Sequence, residues 1–219
     1  TLLRDGLLFY NDNENKKALK NYKEIVAKYP NSIEAKEAVS NAKNVYIDLG
    51  TVDEYAKWVK GISFINITDA DLDNTTYEAA ENKFLENNVS KAIEGFKKYL
   101  LAFPEGLHTL QANFYLAQLL VKEGSNIEAI PNYEYVIDQP QSEFSEQALN
   151  KLSEILLEKE EWATAIPLLE RLEEEANLPL NILYAQSNLM KGYYQSEEFS
   201  KAVAYAEKIL FQEKIDATL

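Results

Sequence analysis

Cysteine is absent from the 219 residues, and histidine occurs once. Without thiols there is no disulfide, no thiol nucleophile and no thiolate metal site. The single histidine, His108, cannot assemble a zinc site without cysteines or further histidines. As a general base it would need an oriented nucleophile and an oxyanion site. No Gly-x-Ser-x-Gly turn, phosphate loop or dinucleotide fingerprint accompanies it, so it reads as a surface or capping histidine at a helix start. No run approaches the roughly 18 consecutive apolar residues of a membrane span. Glycine and proline are few, seven and six, and fall near expected turns. No long strand-rich region is legible.

Basic charge is also scarce, and unevenly so. The net charge is −14. Residues 1–61 carry 10 basic and 9 acidic side chains, residues 62–124 carry 5 and 9, and residues 125–219 carry 7 and 18. The acidic half would repel phosphate backbones, which argues against nucleic acid, and it opposes docking on anionic lipid. It is suited to steering a basic partner, or simply to keeping a solvated face soluble.

Present instead is a period. Ala18, Ala56, Ala92, Ala129, Ala165 and Ala202 are separated by 38, 36, 37, 36 and 37 residues. A fixed period of this size indicates stacked supersecondary units rather than one globule. Four residues after the alanine stand Tyr22, Phe96, Tyr133 and Leu169. Pro30 and Pro104 follow it by twelve residues, Pro140 by eleven and Pro179 by fourteen. Upstream, Leu149, Leu152 and Leu156, or Leu189 and Tyr193, give apolar residues at steps of three and four, one buried face of a helix. Each unit is therefore expected to be helix, turn, helix, the small residue allowing close approach and the proline ending the second helix.

Small residue, aromatic and proline at these offsets resemble the tetratricopeptide repeat, although the period exceeds the usual ~34 residues. The family's first-helix glycine is matched by Gly6 alone; Ala80, Ala117, Ser153 and Met190 stand there in later units. The resemblance implies an all-α, right-handed α-solenoid of about six helix pairs. The joints "KYPNSIEAKEAV", "AFPEGLHTLQANFYLAQ" and "DQPQSEFSEQALNKL" are similar to those of bacterial cell-envelope repeat proteins, most closely of the Bacteroidetes type. This implies periplasm or envelope, while an array of any other compartment stays open. With no polar capping helix at either end and no signal peptide, the chain reads as a piece of a longer repeat protein.

The period is interrupted at 61–74, "GISFINITDADLDN". An irregular connection is expected there, between N-terminal helix pairs at 1–60 and C-terminal pairs at 75–219. Capping-box patterns at Thr51/Glu54, Thr75/Glu78 and Ser125/Glu128 mark helix starts. Pro131 and Pro167, two residues after a repeat alanine, imply kinked or late-starting second helices.

Asp69-x-Asp71-x-Asp73-Asn74 resembles the opening of an EF-hand loop, but Asn74 and Ala80 replace the required Gly and Glu. The run reads better as an acidic approach to a helix at 75. Paired carboxylates such as those in "LEKEEW" and "LERLEEEA" lie on exposed faces. We therefore expect no catalytic residue, cofactor or metal. Carrying the family's inward positions onto this chain places Tyr77 and Glu81 in a groove, followed by Phe114, Tyr115 and Gln118. Asn150, Lys151 and Glu154 come next, then Tyr184, Asn188 and Lys191. Rigid aromatics among amides suit capture of a peptide or helix. The positions of the family's lysine- and asparagine-lined carboxylate clamp are mostly aromatic, acidic or amide here, which argues against an acidic peptide terminus. The expectation is a non-catalytic protein–protein scaffold, the alternative a structural spacer within a longer array.

Overall fold

The computed structural model describes residues 1–216, with side chains to 211. Twelve α-helices and no strand occur among the described residues. They are α1 Leu2–Asn11, α2 Asn15–Lys28, α3 Ile33–Leu49, α4 Val52–Val59, α5 Asp69–Leu85, α6 Val89–Ala102, α7 Thr109–Lys122, α8 Asn126–Asp138, α9 Ser145–Glu158, α10 Trp162–Glu175, α11 Pro179–Gln195 and α12 Phe199–Asp216. The last three residues of the expected terminal helical run lie outside the described residues. Contacts divide the chain into two compact units, residues Thr1–Ala112 and Asn113–Leu219, parting inside α7.

Every odd-numbered helix turns into the next through the same device. One residue takes left-handed backbone: Asn13, Gly50, Asn87, Gly124, Glu160 and Glu197, with φ from 55° to 78°. The following residue then donates its N–H back to a carbonyl five positions earlier: Glu14 to Phe9, Thr51 to Tyr46, Asn88 to Lys83, Ser125 to Leu120, Glu161 to Leu156 and Glu198 to Tyr193, at 2.7–3.0 Å. This is the Schellman closure, which satisfies orphan carbonyls and reverses the chain. The six left-handed residues recur at 37, 37, 37, 36 and 37 residues.

Five residues past the turn comes the small residue. Ala18, Ala92, Ala129, Ala165 and Ala202 are each the fourth residue of α2, α6, α8, α10 and α12, and each is buried. Ala56 is not their counterpart. Five residues past Gly50 stands Tyr55, which is buried, while Ala56 is half-buried. Tyr55 meets Tyr46 and Trp58 with ring centroids at 5.9 and 6.4 Å. A ring fills the crossing that a methyl group fills elsewhere, and α4 spans only eight residues where the other second helices span thirteen to eighteen.

The facing helix supplies space for the side chain one turn beyond the alanine. A Cβ at Gly6 would stand 2.6 Å from Cε1 of Tyr22. Ala80, Ala117 and Ser153 occupy the equivalent place in later first helices and are buried. In α6, a Cβ at Gly95 would stand 2.9 Å from Cβ of Ala80.

Pro30, Pro104 and Pro140 each follow the residue that caps α2, α6 and α8. Pro179 does the opposite of what its spacing suggested: it opens α11 as the first helical residue, where its missing N–H is no loss. Pro131 and Pro167 lie inside α8 and α10, which begin five residues earlier and so do not start late.

The three expected capping boxes do not form. Thr51 and Ser125 are N-caps without a side-chain cap bond. Each follows a left-handed glycine and has ψ of 45° or 52°, whereas Ser32 and Thr68, which do cap, are extended with ψ of 162° and 164°. In the same kind of turn the longer side chain of Asn88, at ψ of 77°, accepts from the Lys91 N–H at 3.4 Å. At Thr51 and Ser125 the backbone keeps the short hydroxyl from its cap bond. Thr75 is mid-helix, its hydroxyl donating to the Asp71 carbonyl at 2.6 Å. The box that forms is Thr68/Asp71, so α5 starts at Asp69 and residues 69–74, expected to be irregular, are helical. In the connection ahead of it, Ile62 lies in the core of the first unit, and Phe64, Ile65 and Ile67 pack against that core.

Glu160 holds a left-handed backbone that costs an L-residue about 1–2 kcal/mol, partly offset by glycine's greater unfolded entropy. Glu160→Gly is expected to raise stability by about 0.5–1 kcal/mol, read as a higher urea midpoint with an unchanged slope. Gly6→Ala is expected to lower stability by about 1–3 kcal/mol through overpacking on Tyr22, read in the same assay.

Candidate functional site

In the first unit the acidic run is used internally. The Asp71 carboxylate accepts from the Thr68 N–H at 2.9 Å and the Thr68 hydroxyl at 2.6 Å. These bonds hold Asp71 below the usual carboxylate range. Asp73 is 5% exposed. It accepts from the Tyr99 hydroxyl at 2.6 Å and from the Leu107 N–H at 2.7 Å, and the His108 N–H donates to the same Tyr99 oxygen at 2.9 Å. The carboxylate thus pins the 103–108 loop to α5. The imidazole stacks on Tyr77 at 4.2 Å, with Nε2 2.6 Å from Oδ1 of Asn74. His108 is therefore a half-buried, bonded residue immediately before α7, its carbonyl accepting from the Ala112 N–H at 2.8 Å. The three aspartates lie on helical backbone, with Asp71 and Asp73 already engaged, so they do not form a calcium loop. Among the described residues no group of three or more His, Asp or Glu is placed to hold a metal.

Tyr77 is 6% exposed, and its hydroxyl donates to Glu81 at 2.9 Å. Its ring faces Phe96 and Tyr99 as well as His108. Tyr77 is therefore a core side chain of the first unit, with no face left for a ligand.

In the second unit the first helices of successive hairpins lie side by side. Phe144, the N-cap of α9, meets Phe114 and Tyr115 of α7 at 4.7 and 6.1 Å between ring centroids. Asn150 of α9 donates to Asn181 of α11 at 3.2 Å. Burial, with the nearby Glu154 and Glu158, pushes the Tyr184 titration upward. Phe114 is 4% exposed, enclosed by Tyr133 and Phe144, so it packs rather than projects. Tyr115, Gln118, Asn150, Lys151, Glu154, Tyr184 and Asn188 are half-buried, and Lys191 is exposed. Several are held in place: Lys151 pairs with Glu154 at 2.6 Å, and Asn188 donates to the Tyr184 carbonyl at 2.9 Å.

Other carboxylates act as internal braces. Burial works to raise Glu146, but the Asn177 N–H, the Asn181 amide and the Leu178 N–H outweigh it and leave it lowered. These donors stand at the start of α11, where negative charge also meets the helix dipole. Glu173 is likewise lowered against burial by Lys208, Gln186 and Tyr205. A general acid needs the opposite shift. Sequence reasoning read Asp73 as part of an acidic approach to a helix and Glu173 as exposed charge, and did not single out Glu146. Only Thr68-x-x-Asp71, a helix-start pattern, could have moved the start of α5 to its place.

No protein-family model matches the sequence, and no curated protein matches it. Among solved structures the chain is similar to MamA residues 41-end from Desulfovibrio magneticus RS-1, with 15% identity, 81% of this chain and 94% of that chain covered, and a TM-score of 0.45. It is similar to YrrB, a TPR protein with an unusual peptide-binding site (15% identity, 86% and 90% covered, TM-score 0.49). A tetratricopeptide repeat protein from Parabacteroides merdae ATCC 43184 shares 13% identity over 96% of this chain and 78% of that one, with a TM-score of 0.41. The hairpin register itself, read from this chain's own backbone, is that of stacked tetratricopeptide-like helix pairs.

Buried phenols set an alkaline limit. Burial first, then Asp48, pushes Tyr10 up to about 12, and burial with Glu154 pushes Tyr133 up to about 12. Burial also raises Tyr99, Tyr193 and Tyr205. An unfolded tyrosine titrates near 10. Above that pH the unfolded chain releases protons that the folded chain keeps, so stability present below pH of about 10 is lost as pH rises toward the folded values. Urea midpoints are expected to fall between pH of about 10 and 12, and Tyr133→Phe to make that fall shallower at unchanged helicity.

Proposed function

We propose that the chain is a non-catalytic protein–protein scaffold. Its second unit captures a peptide or helix across α7, α9 and α11. The observation that carries this reading is the row of half-buried aromatic and amide side chains on three adjacent first helices, Tyr115, Gln118, Asn150, Tyr184 and Asn188, running to the exposed Lys191. Aromatic rings anchored at one edge lose little entropy on binding, and neighbouring amides can pair with a partner's backbone. The acidic balance of residues 125–219 favours a basic segment through steering. Tyr77 and Glu81 fall in the other compact unit, and the proposal does not extend to them. The downward-shifted carboxylates, Asp71, Glu146 and Glu173, are spent on structure, which supports the non-catalytic reading.

Among described residues no helix is long and apolar enough to cross a membrane. Membrane insertion is therefore not assigned to this segment, and the acidic field speaks against nucleic acid. A cell-envelope location remains part of the proposal, resting on the similarity of the joints.

Screening fluorescent peptides of graded net charge against the chain, then titrating the best binder, tests the reading. Tyr115→Ala and Tyr184→Ala are each expected to weaken it by about tenfold or more, with Leu101→Ala, exposed on α6, as the unaffected control. Unchanged affinity in both tyrosine variants would remove the groove and leave the spacer role.

A further inference from the structure

The second helices change sign along the chain. α2 holds five lysines against one glutamate. Three of them, Lys16, Lys20 and Lys23, are exposed. They stand at steps of four and three, on the side of the helix away from its buried Ala18, Tyr22 and Ile25. Thirty-seven residues after Lys20 and Lys23 come Lys57 and Lys60, exposed on α4 and at its C-cap. Where Lys23 stands in α2, five residues past the buried alanine, α8, α10 and α12 carry Glu134, Glu170 and Glu207.

These lysines are not spent on ion pairs. The carboxylates beside them are engaged elsewhere: Glu14 with Lys17, Glu24 with Lys28 and Asp53 with Lys98. Among the described residues Lys16, Lys20, Lys23, Lys57 and Lys60 have no ion-pair partner. The exposed Glu54, one turn before Trp58, is the opposing charge on α4. Beside the lysines lies an open cleft of about 510 Å³, its lining including Lys23, Val26, Pro30, Lys57, Trp58 and Phe64. The Lys23 ammonium stands 5.5 Å from the Tyr46 ring centre and 5.8 Å from that of Trp58, so cation–π attraction holds it at the rim. The cleft joins an apolar floor to a cationic edge.

This face does not depend on what flanks the chain. Each second helix packs between the first helix of its own hairpin and that of the next: α2 on α1 and α3, α4 on α3 and α5, α10 on α9 and α11. A hairpin ahead of α1 would bring its second helix onto α1, while α2 and α4 already have their neighbours. The charge selects the occupant. A duplex or a bilayer is larger than the patch and would meet the field of a chain with net charge −14. A single segment lying on the patch meets mainly the charges within a Debye length of about 8 Å.

We propose that the α2–α4 face docks an acidic segment of a partner protein, with one apolar side chain of that segment in the cleft at Trp58 and Phe64. Carboxylates along the segment pair with Lys16, Lys20, Lys23 and Lys57, and the apolar anchor fixes its register. The site lies in the first unit and takes charge opposite to that proposed for the α7/α9/α11 face, so either proposal can fail alone.

The probe is a fluorescent peptide of aspartates and glutamates around one central leucine, titrated against the full chain by anisotropy at low salt. Saturable binding that weakens as salt is added is expected. Lys20→Glu combined with Lys57→Glu should weaken it by about tenfold or more, with helicity and urea midpoint retained because both side chains are exposed. Arg4→Glu combined with Lys36→Glu, exposed on α1 and α3, changes net charge equally and should leave affinity within about twofold. Replacing the peptide's leucine by serine should weaken binding as well. No saturable binding, equal losses in the two double variants, or indifference to the leucine would each overturn the proposal. So would phosphatidylserine vesicles or a DNA duplex that bind through Lys20 and Lys57 where the peptide does not, which would assign the patch to phosphate.

Discussion

A single left-handed residue, closed by one backward hydrogen bond, governs the reversal inside each helix hairpin. It ends the first helix of a hairpin, sets the direction of the second, and places the residue five positions later at the point of closest approach. The small side chain there is a consequence of the turn, since two backbones brought this near leave room for little more than a methyl group. The turn is tolerant of chemistry. Asparagine, glycine and glutamate all occupy it, and the glutamates hold it against their own preference because the backward bond of each turn and the packing beyond it over-determine the conformation. Capping by a hydroxyl gives way to the turn: Thr51 and Ser125 make no cap bond at ψ of 45° and 52°, while the longer Asn88 still does.

The second hairpin shows what happens when the small residue is missing. Tyr55 puts a ring at the crossing, Tyr46 and Trp58 gather around it, and α4 is cut to eight residues. The chain then runs irregularly to Thr68 before a true capping box restarts it. Ile62, Phe64, Ile65 and Ile67 compensate by packing on the first unit's core. Lys23 adds its ammonium over Tyr46 and Trp58 at 5.5 and 5.8 Å. The irregularity is a local answer to one oversized side chain, and the period survives it intact.

Acidity has two uses in this molecule. Much of it faces water, but Asp73, Glu146 and Glu173 turn inward to tie loops and helices that the backbone alone leaves open. A carboxylate that gathers two or three N–H or O–H donors recovers its desolvation cost and fixes their positions. The same use of side chains explains why His108, the one residue that invited a catalytic reading, is a packing element between Tyr77 and Asn74. The face proposed for a partner, along α7, α9 and α11, is made instead of half-buried rings and amides.

The periodic part of the architecture was legible in order: helix after helix at 36–37 residues, with alanine marking five of the six second helices. Helix type and hairpin pairing follow from short-range spacing, which a sequence displays directly. Register within one hairpin was not legible, because Ala56 and Tyr55 are neighbours and only the position of Gly50 in the turn decides between them. Nor was burial at the projected groove: Tyr77, Phe114 and Tyr115 read alike as aromatics on first helices. The tertiary structure alone encloses the first two and leaves the third half open, because burial depends on which side chains other helices bring alongside. Spacing along the chain determined the repeat; distances across it decided which residues are core, brace or contact.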